Sequence, residues 1–525
     1  MPYQPVIGLE IHVQLKTKSK MFCTCPNNPD EAEPNVNICS ICTGQPGTLP
    51  VINKAALEMA VLAARALNLK LSEESKFDRK NYFYPDLPKG YQISQYDMPI
   101  GLDGYLEIDV PSHLSGESNR AARGGVRPKG ARAKIGITRV HLEEDAAKSI
   151  HGSKTGETLI DYNRCGTPLV EIVTEPDFRT PQEAKIFLQE LRAIMRCLKI
   201  SDADMEKAQM RCDANISLRK TDENGEFVDA ALSPKTEIKN LNSFKAVERA
   251  LEYEIKRQTK LWEQGKPPRV QSTRGWNEQS AVTEEQRVKE EAHDYRYFPE
   301  PDLPPMDMGE IIAKTQSELP ELPIAKRKRF IDEYGFKNEE AKFLTSDPSL
   351  AEFTENVISE LKEWLASLPE VEGDAEEIYE KQKAKLAKLV GGWICSKLQG
   401  IMTDKKIDIK NLKITPENFA EFISLIYTNK IGSAAAQKIL AKMAEAGQDP
   451  TQIMEDNELG QMSDVKEIET VVQDIIRQNP DQAAAYGAGK TALLQFFVGL
   501  AMKATEGKAD PNIVKVLLEK YLKEK

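Results

Sequence analysis

The sequence has no apolar run approaching the roughly 18 residues of a membrane-spanning helix. Its first strand pattern begins within a few residues of Met1. No room is left there for a signal or transit peptide, so the chain is expected to stay where it is made, in a bacterial-type cytoplasm. Cysteine is scarce. Eight in 525 residues cannot make a disulfide scaffold, which leaves thiols or metal ligands. Basic charge is not in excess. The formal net charge of −11 excludes non-specific polyanion binding by the whole surface, though not a local basic patch. A Walker P-loop and a Rossmann glycine fingerprint are both lacking, so any nucleotide must be held by other means. Repeats and low-complexity tracts are also missing. With 40% apolar and 29% charged residues, the chain reads as folded, with roughly two to four domains.

What is present begins with residues 6–15, VIGLEIHVQL. Leu9, Ile11, Val13 and Leu15 alternate with Glu10, His12 and Gln14. A period of two is a strand with one buried and one polar face. The polar face carries a carboxylate, an imidazole and an amide in a row, about 7 Å between neighbours. Glu beside His is what a metal ion or a proton transfer needs. An ordinary amphipathic strand with a wet polar side is the competing reading. Further on, Arg211, Asp213, Asn215, Ser217 and Arg219 alternate with Cys212, Ala214, Ile216 and Leu218. Glu237 and Lys239 flank Ile238, and Glu171 sits among apolar neighbours. His141, Glu143, Glu144 and Asp145 follow the run IGITRV at 135–140. Several strands with carboxylates on one face would make a polar basin, stable only with cations or Arg and Lys inside it. Hard oxygen ligands with one imidazole suit Mg²⁺ or Mn²⁺, and Mg²⁺ commonly bridges to nucleotide phosphates. Arg and Lys on the same faces suit phosphate.

Four of the cysteines form two close pairs, Cys23-x-Cys25 and Cys39-x-x-Cys42. This is ligand spacing for a tetrahedral zinc knuckle within 23–42, and four thiolates leave no open position for catalysis. Four free cysteines are the alternative. Cys165, Cys197, Cys212 and Cys395 read as core filler.

Residues 1–290 are strand-rich, with helices predicted over 54–69 and from Thr180-Pro181-Gln182-Glu183, where Thr caps and Pro opens the first turn. Few strands are followed by a crossover helix, so the fold class is α+β with a mainly antiparallel sheet. The Gly- and Arg-rich insertion 112–134 reads as a mobile surface loop, with a phosphate-contacting loop as the alternative. The Pro-rich segment 297–305 reads as a rigid passage out of the first domain. Beyond it the periodicity is helical. Thr415-Pro416-Glu417 opens a helix with Phe419, Phe422, Ile423 and Ile426 on one stripe, and Asp404-Lys405-Lys406 is the expected joint between two helical modules.

Several segments together carry a resemblance: residues 6–17, TGQPGTLP at 43–50, SKFDRKNYFYPD at 75–86, YQISQ at 91–95, and residues 141–148, 211–218 and 294–305. They resemble the GatB family, the B component of aspartyl/glutamyl-tRNA(Asn/Gln) amidotransferases, and the tail from about Leu412 is similar to the YqeY family. The resemblance covers essentially the whole chain. It implies a catalytic domain at 1–295 like glutamine synthetase and the guanido kinases, an all-α middle domain at 296–408 and an all-α, tRNA-binding, YqeY-like tail at 409–525. It implies a ligase forming C–N bonds with glutamine as amido donor, working in a heterotrimer. The glutaminase component hydrolyses glutamine and sends ammonia through a channel, and a small third component braces the other two together. The GatB component binds mischarged tRNA and uses ATP to phosphorylate the side-chain carboxylate of Glu-tRNA(Gln) or Asp-tRNA(Asn). Ammonia then yields Gln-tRNA(Gln) or Asn-tRNA(Asn) for translation.

Residue by residue, the resemblance implies His12, Glu144 and Glu171 as ligands of the catalytic Mg²⁺ (or Mn²⁺), and Glu10, Asp213 and Glu237 as a second, more labile metal site. Lys80 with Arg79 becomes a carboxylate or phosphate contact. Arg211, Asn215, Lys239 and Asn240 become further ATP or substrate contacts. Strict alternation from Val140 puts Glu143 on the His141 face, so Glu144 in that set requires a bend. The Cys pairs match members that hold structural zinc. A non-catalytic tRNA-binding scaffold and a kinase or ligase of small molecules stay open as alternatives. A scaffold, however, has no need to direct Glu10, His12, Asp213 and Glu237 inward.

Overall fold

The computed structural model describes residues 3–110, 132–151, 157–222, 227–228, 232–288, 295–366, 375–461, 465–505 and 507–523. The basic insertion expected at 112–134 falls almost wholly outside them. The chain forms two compact units, Met1–Pro323 and Ile324–Lys525.

The first unit is built on a 12-stranded sheet. Its strands are β1 (Tyr3–Gln14), β2 (Asp78–Asn81), β3 (Tyr91–Ser94), β4 (Gly101–Asp109), β5 (Arg132–Glu144), β6 (Pro168–Thr174), β7 (Met210–Lys220), β8 (Thr236–Leu241), β9 (Ser272–Asn277), β10 (Val282–Val288) and β11 (Phe298–Pro299), with Lys70–Leu71 pairing with β4. The order across the sheet is β10-β9-β8-β7-β1-β6-β5-β3-β2-β11, with β4 also on β5. Every pairing is antiparallel except β8 with β9, so the α+β class with an antiparallel-dominated sheet stands. β1 is central, between β6 and β7. Leu9, Ile11 and Val13 are at most 1% exposed, as a strand with one face in the core requires.

Three helices pack against the sheet: α1 (Lys54–Ala66), α2 (Pro181–Cys197) and α3 (Phe244–Glu263). Their starts are encoded locally. The Asn53 side chain accepts from the backbone N–H groups of Ala55 and Ala56. The Thr180 side chain accepts from Glu183 N–H, with Pro181 in the first turn. Each such cap satisfies an otherwise orphaned donor, worth about 1 kcal/mol.

The Pro-rich segment behaves differently from its composition. It does not lead out of the first unit. Phe298 and Pro299 pair with Arg79 and Asp78, Glu300 N–H donates to Phe77 O at 2.9 Å, and Met308 N–H donates to Glu73 O at 2.9 Å. Proline lacks a donor but not an acceptor, so a sheet edge accommodates it. The boundary lies near Pro323 and not near residue 295.

In the second unit, helix Pro416–Tyr427 is capped by Thr415 and buries Phe419, Phe422 and Ile423, as its stripe predicts. One hydrophobic core runs from Phe330 to Ile453, and a second from Ile468 to Leu522. The expected joint at 404–406 therefore falls within a continuous core, and the core divides between residues 453 and 468. No helix among the described residues is long and apolar enough to cross a membrane.

A fragment ending at residue 408 strips Phe419, Phe422, Ile423 and Leu440 from the first of these cores, whereas one ending at residue 461 keeps it whole. We expect fragment 1–461 to keep a cooperative helical melt by circular dichroism and fragment 1–408 to lose it. Equal melts for both would refute the continuous core.

Candidate active site on the polar face of the sheet

Residues directly opposed in antiparallel strands point to the same face. His12 lies opposite Glu171 on one side and Arg211 on the other. Glu171 lies opposite His141. A row Arg211–His12–Glu171–His141 thus crosses four strands. Glu10 stands opposite Asp213, Asn215 opposite Glu237, and Glu143 opposite Ser94. Lys80 shares this face, because it opposes Gln92, two residues from Ser94.

The row forms a compact charge cluster. His12 Nε2 is 3.4 Å from both Glu143 Oε1 and Glu171 Oε2, and 3.9 Å from Glu10 Oε1. Glu171 also meets His141 Nε2 at 3.2 Å and Arg139 Nη2 at 3.9 Å. Burial, reinforced by the charge of Glu171, raises the Glu10 carboxyl above the ordinary range. Glu171 goes the other way. Burial opposes its ionisation, but His141 and His12 outweigh burial and hold it well below the usual carboxylate range. Burial disfavours the His12 cation, yet the hydrogen bond to Glu171 and the charges of Glu143, Glu171 and Glu10 push it up to about 9. Lys80 likewise stays charged: burial is outweighed by Glu143, Tyr297 and Glu171. Two buried atoms in the cluster, Glu143 Oε2 and His141 Nδ1, have no hydrogen-bond partner among the described residues. A buried carboxylate oxygen with unused lone pairs suits a hard cation.

The predicted residues divide. Glu10, His12, Glu171, Lys80, Asp213, Arg211, Asn215, Glu237 and Lys239 come together on the face. Glu144 and Arg79 do not. The register of β5 on β6 is unbroken from Arg139 to Glu144, so alternation sends Glu143 to His12 and Glu144 to the opposite side. There Glu144 is ion-paired with Lys89 and accepts from Ile93 N–H. Arg79 is one residue from Lys80 and therefore also on the opposite side. Its guanidinium is gripped by Glu300, at 2.7 Å from Nε and 2.8 Å from Nη2. The expected second metal set is also modified. Lys239 Nζ stands 2.5 Å from Asp213 Oδ2 and 3.1 Å from Glu237 Oε1, so an ammonium already bridges these carboxylates. Arg211 Nη2 donates to Asp145 Oδ1 at 2.9 Å. Asn240 occupies a bulge between β7 and β8 with φ 66°, the two-against-one irregularity that re-aims side chains beside sites. The same face also carries His141, Arg139 and Glu143, none of which the resemblance names as a ligand or contact. The signal for His141 and Glu143 was their own period of two.

On the Glu144 side, a cavity of about 250 Å³ is lined by Arg79, Lys89, Tyr91, Glu144, Cys23 and Cys42 among others. Beside it the four predicted sulfurs converge: Cys23, Cys25, Cys39 and Cys42 offer ligand atoms all within 4.8 Å of one another. Lys20 is fully buried, with Nζ 3.8 Å from Cys42 Sγ and 3.4 Å from Tyr162 O. A hydrogen bond from Cys23 and, against burial, the Lys20 charge bring the Cys42 thiol down to about 5. A buried Lys beside Cys42 favours the anionic, metal-binding form of that thiol, whereas burial and the neighbouring sulfurs push Cys23 and Cys25 up.

The His12 shift has a measurable consequence. A histidine raised by its fold stabilises the folded state fully below its unfolded pKa and loses that contribution as pH rises through its folded value. In the presence of chelator, stability should therefore fall between pH 6.5 and about 9, by on the order of 3 kcal/mol. Denaturant titrations of wild type and His12→Gln test this: the variant should be flatter over the window, and an unchanged slope would refute it.

Two family models match the chain: the GatB/GatE catalytic domain over residues 5–314 and the GatB domain over residues 374–522. The B component of the aspartyl/glutamyl-tRNA(Asn/Gln) amidotransferase of Thermotoga maritima is 44% identical over 527 residues, covering 99% of each chain. The protein of the same name from Dehalococcoides mccartyi is 43% identical over 528 residues, 99% of each chain. That from Persephonella marina is 42% identical over 524 residues, 100% of each chain. With the catalytic-domain model spanning the whole charge cluster and full-length relatives at this identity, the chain belongs to the GatB family of the glutamine-hydrolysing tRNA amidotransferases.

Proposed function

We propose that the basin activates the side-chain carboxylate of an aminoacyl-tRNA, glutamate on tRNA(Gln) or aspartate on tRNA(Asn), with ATP, and presents it to ammonia. The observation that carries this is the row Arg211–His12–Glu171–His141, flanked by Glu10, Glu143 and Lys80 on one sheet face. A tRNA-holding scaffold has no use for such a costly gathering of charge. Open antiparallel sheets with acids on one face also suit the glutamine synthetase and guanido kinase class of phosphoryl-transfer fold. A cavity of about 560 Å³ beside Glu10, lined by Gly8, Asn215, Ser217, Lys235 and Arg269 among others, has the size and donors for a nucleotide.

A carboxylate resists ammonia because its leaving group is oxide. In the first step its oxygen attacks the γ-phosphorus of ATP, the bond to the bridging oxygen breaks, and ADP leaves. In the second the ammonia lone pair attacks the acyl carbon, the C–O bond breaks, phosphate leaves, and the nitrogen sheds a proton. Lys80 binds the anionic side chain and its developing phosphoryl charge. Glu10, raised above the ordinary carboxylate range, is suited to take the proton from nitrogen. His12, Glu143 and Glu171 would hold Mg²⁺ or Mn²⁺, and the unpartnered Glu143 Oε2 fits that role. A divalent ion there neutralises phosphoryl charge. Glu10, Asp213 and Glu237 would hold a second ion only if Lys239 moves aside. The four cysteines would hold structural zinc. The partners implied are the glutaminase component, the small third component and mischarged tRNA, in the cytoplasm.

The first test is phosphate release from ATP by the reconstituted complex, with ammonium chloride in place of glutamine. Turnover should need Glu-tRNA(Gln) or Asp-tRNA(Asn) and fall at least about 100-fold in His12→Ala; turnover indifferent to His12 would move the chemistry elsewhere. Mn²⁺ titration separates the two glutamates. Glu143→Gln should weaken binding about 10- to 100-fold, and Glu144→Gln should not. For zinc, metal analysis should find one ion per chain, lost in Cys39→Ser together with thermal stability. A zinc-free wild type would overturn that assignment.

A further inference from the structure

An aromatic rim borders the basin on the β2 side. Lys80 Nζ lies 5.1 Å from the Tyr295 ring centroid. Tyr295 meets Tyr82 at 6.0 Å and Tyr297 at 6.1 Å, and Tyr82 meets Tyr84 at 6.4 Å. Tyr297 stacks on Tyr96 with centroids 4.2 Å apart and planes 11° from parallel. The series of rings runs from a cation inside the basin to Tyr84, which is 67% exposed, and Phe83, between Tyr82 and Tyr84 in sequence, is 79% exposed. Gly90, with φ 72°, leaves room for the Phe83 ring: Phe83 Cε1 is 3.1 Å from where a Cβ would stand. Folding alone does not account for two consecutive large rings left in water, and exposed apolar side chains gathered beside a site mark a binding surface.

The chemistry of the substrate says what that surface meets. The nucleotide-sized cavity opens beside Glu10, between β1, β6 and β7, whereas the rim begins at Lys80 on β2. The carboxylate to be activated sits between them. It is joined through a few bonds of ~1.5 Å to the ribose of the terminal nucleotide, so that nucleotide's base must lie within ~10 Å of the basin. Unpaired RNA ends are held by stacking on aromatic rings, and each base so held tightens binding roughly 5- to 150-fold.

We propose that Phe83 and Tyr84, backed by Tyr82 and Tyr295 and flanked by the Tyr96–Tyr297 stack, are the stacking platform for the unpaired 3′-terminal bases of the charged tRNA. The proposal rests on the reading of the basin as the carboxylate-activating site. It assigns these rings to RNA and not to a protein partner, because they are continuous with the cation that meets the substrate carboxylate.

The test uses the assembled amidotransferase complex and an acceptor-stem RNA ending in an amide-linked glutamyl group, with 2-aminopurine as the terminal base. Binding should quench its fluorescence. In Phe83→Ala/Tyr84→Ala the quench should vanish and KM for Glu-tRNA(Gln) should rise about 10- to 100-fold, with a smaller change in kcat. Phe83→Tyr/Tyr84→Phe should retain both. Both side chains are exposed, so the alanine pair should melt as wild type does. An unchanged quench and KM would overturn the proposal. So would loss of the partner proteins from the alanine pair on gel filtration, which would make the rim a protein contact. If turnover still requires His12 while the rim variants behave as wild type, the platform fails alone; if turnover is indifferent to His12, the reading beneath it fails.

Discussion

The first unit depends on one constraint: acidic side chains brought to a single sheet face by antiparallel register must be neutralised there. Glu10, Glu143 and Glu171 converge on the His12 imidazole within 3.9 Å. Carboxylates gathered around one imidazole repel each other, and burial removes the water that would screen them. The register itself leaves no alternative, because moving any one strand by a residue would turn its apolar set outward. The charges are therefore balanced where they stand: His12, His141 and Arg139 on Glu171, Arg211 on Asp145, and Lys239 on Asp213 and Glu237. The balance is incomplete at Glu143 Oε2. A site nearly but not fully neutral is one in which an arriving cation is welcome and an arriving anion finds Lys80.

Alternation sorts neighbours in sequence into separate systems. Lys80 and Glu143 belong to the basin. Arg79 and Glu144, one residue away, belong to the other face, where each is already engaged by Glu300 or Lys89. Adjacent charges such as Arg79-Lys80 or Glu143-Glu144 therefore cannot share a role unless the strand bulges. At β8 it does. Asn240 adopts a left-handed φ of 66° and is the extra residue of the bulge, whereas Lys239, one step on from the pairs Asn215–Glu237 and Ala214–Ile238, reaches Asp213 and Glu237 by the regular register.

Much of this was legible in the sequence. The period of two gave β1 and β7 with their polar faces, Thr180-Pro181 and Thr415-Pro416 gave two helix starts, and the paired cysteine spacing gave the sulfur cluster. What was not legible has physical reasons. Residue type shows which groups could bind a ligand, but not which are already paired, so Arg79, Arg211 and Lys239 looked freer than they are. Glu143 was visible only to strict alternation, which resemblance overrode. The passage 297–305 reads as a linker by composition, yet its carbonyls and remaining N–H groups stitch it to β2. The joint at 404–406 reads as a break by its charges, while the apolar stripe that follows packs back into the core that precedes it.

The absence of a phosphate-binding loop then becomes intelligible. A P-loop wraps phosphate in backbone N–H groups and needs a glycine-rich turn before a helix. On a sheet those N–H groups are consumed by neighbouring strands, so only side chains remain to meet phosphate and carboxylate. Side chains on adjacent strands stand about 5 Å apart across a pair and about 7 Å apart along a strand, a grid on which opposite charges can be placed with little freedom to relax. Holding such groups rigid costs repulsion in the resting state. The same rigidity means that little reorganisation is needed when charge moves during phosphoryl transfer. On the proposed reading of the basin, the repulsion gathered around Glu10, Glu143 and Glu171 and the stabilisation of a migrating phosphoryl group are thus two consequences of one arrangement.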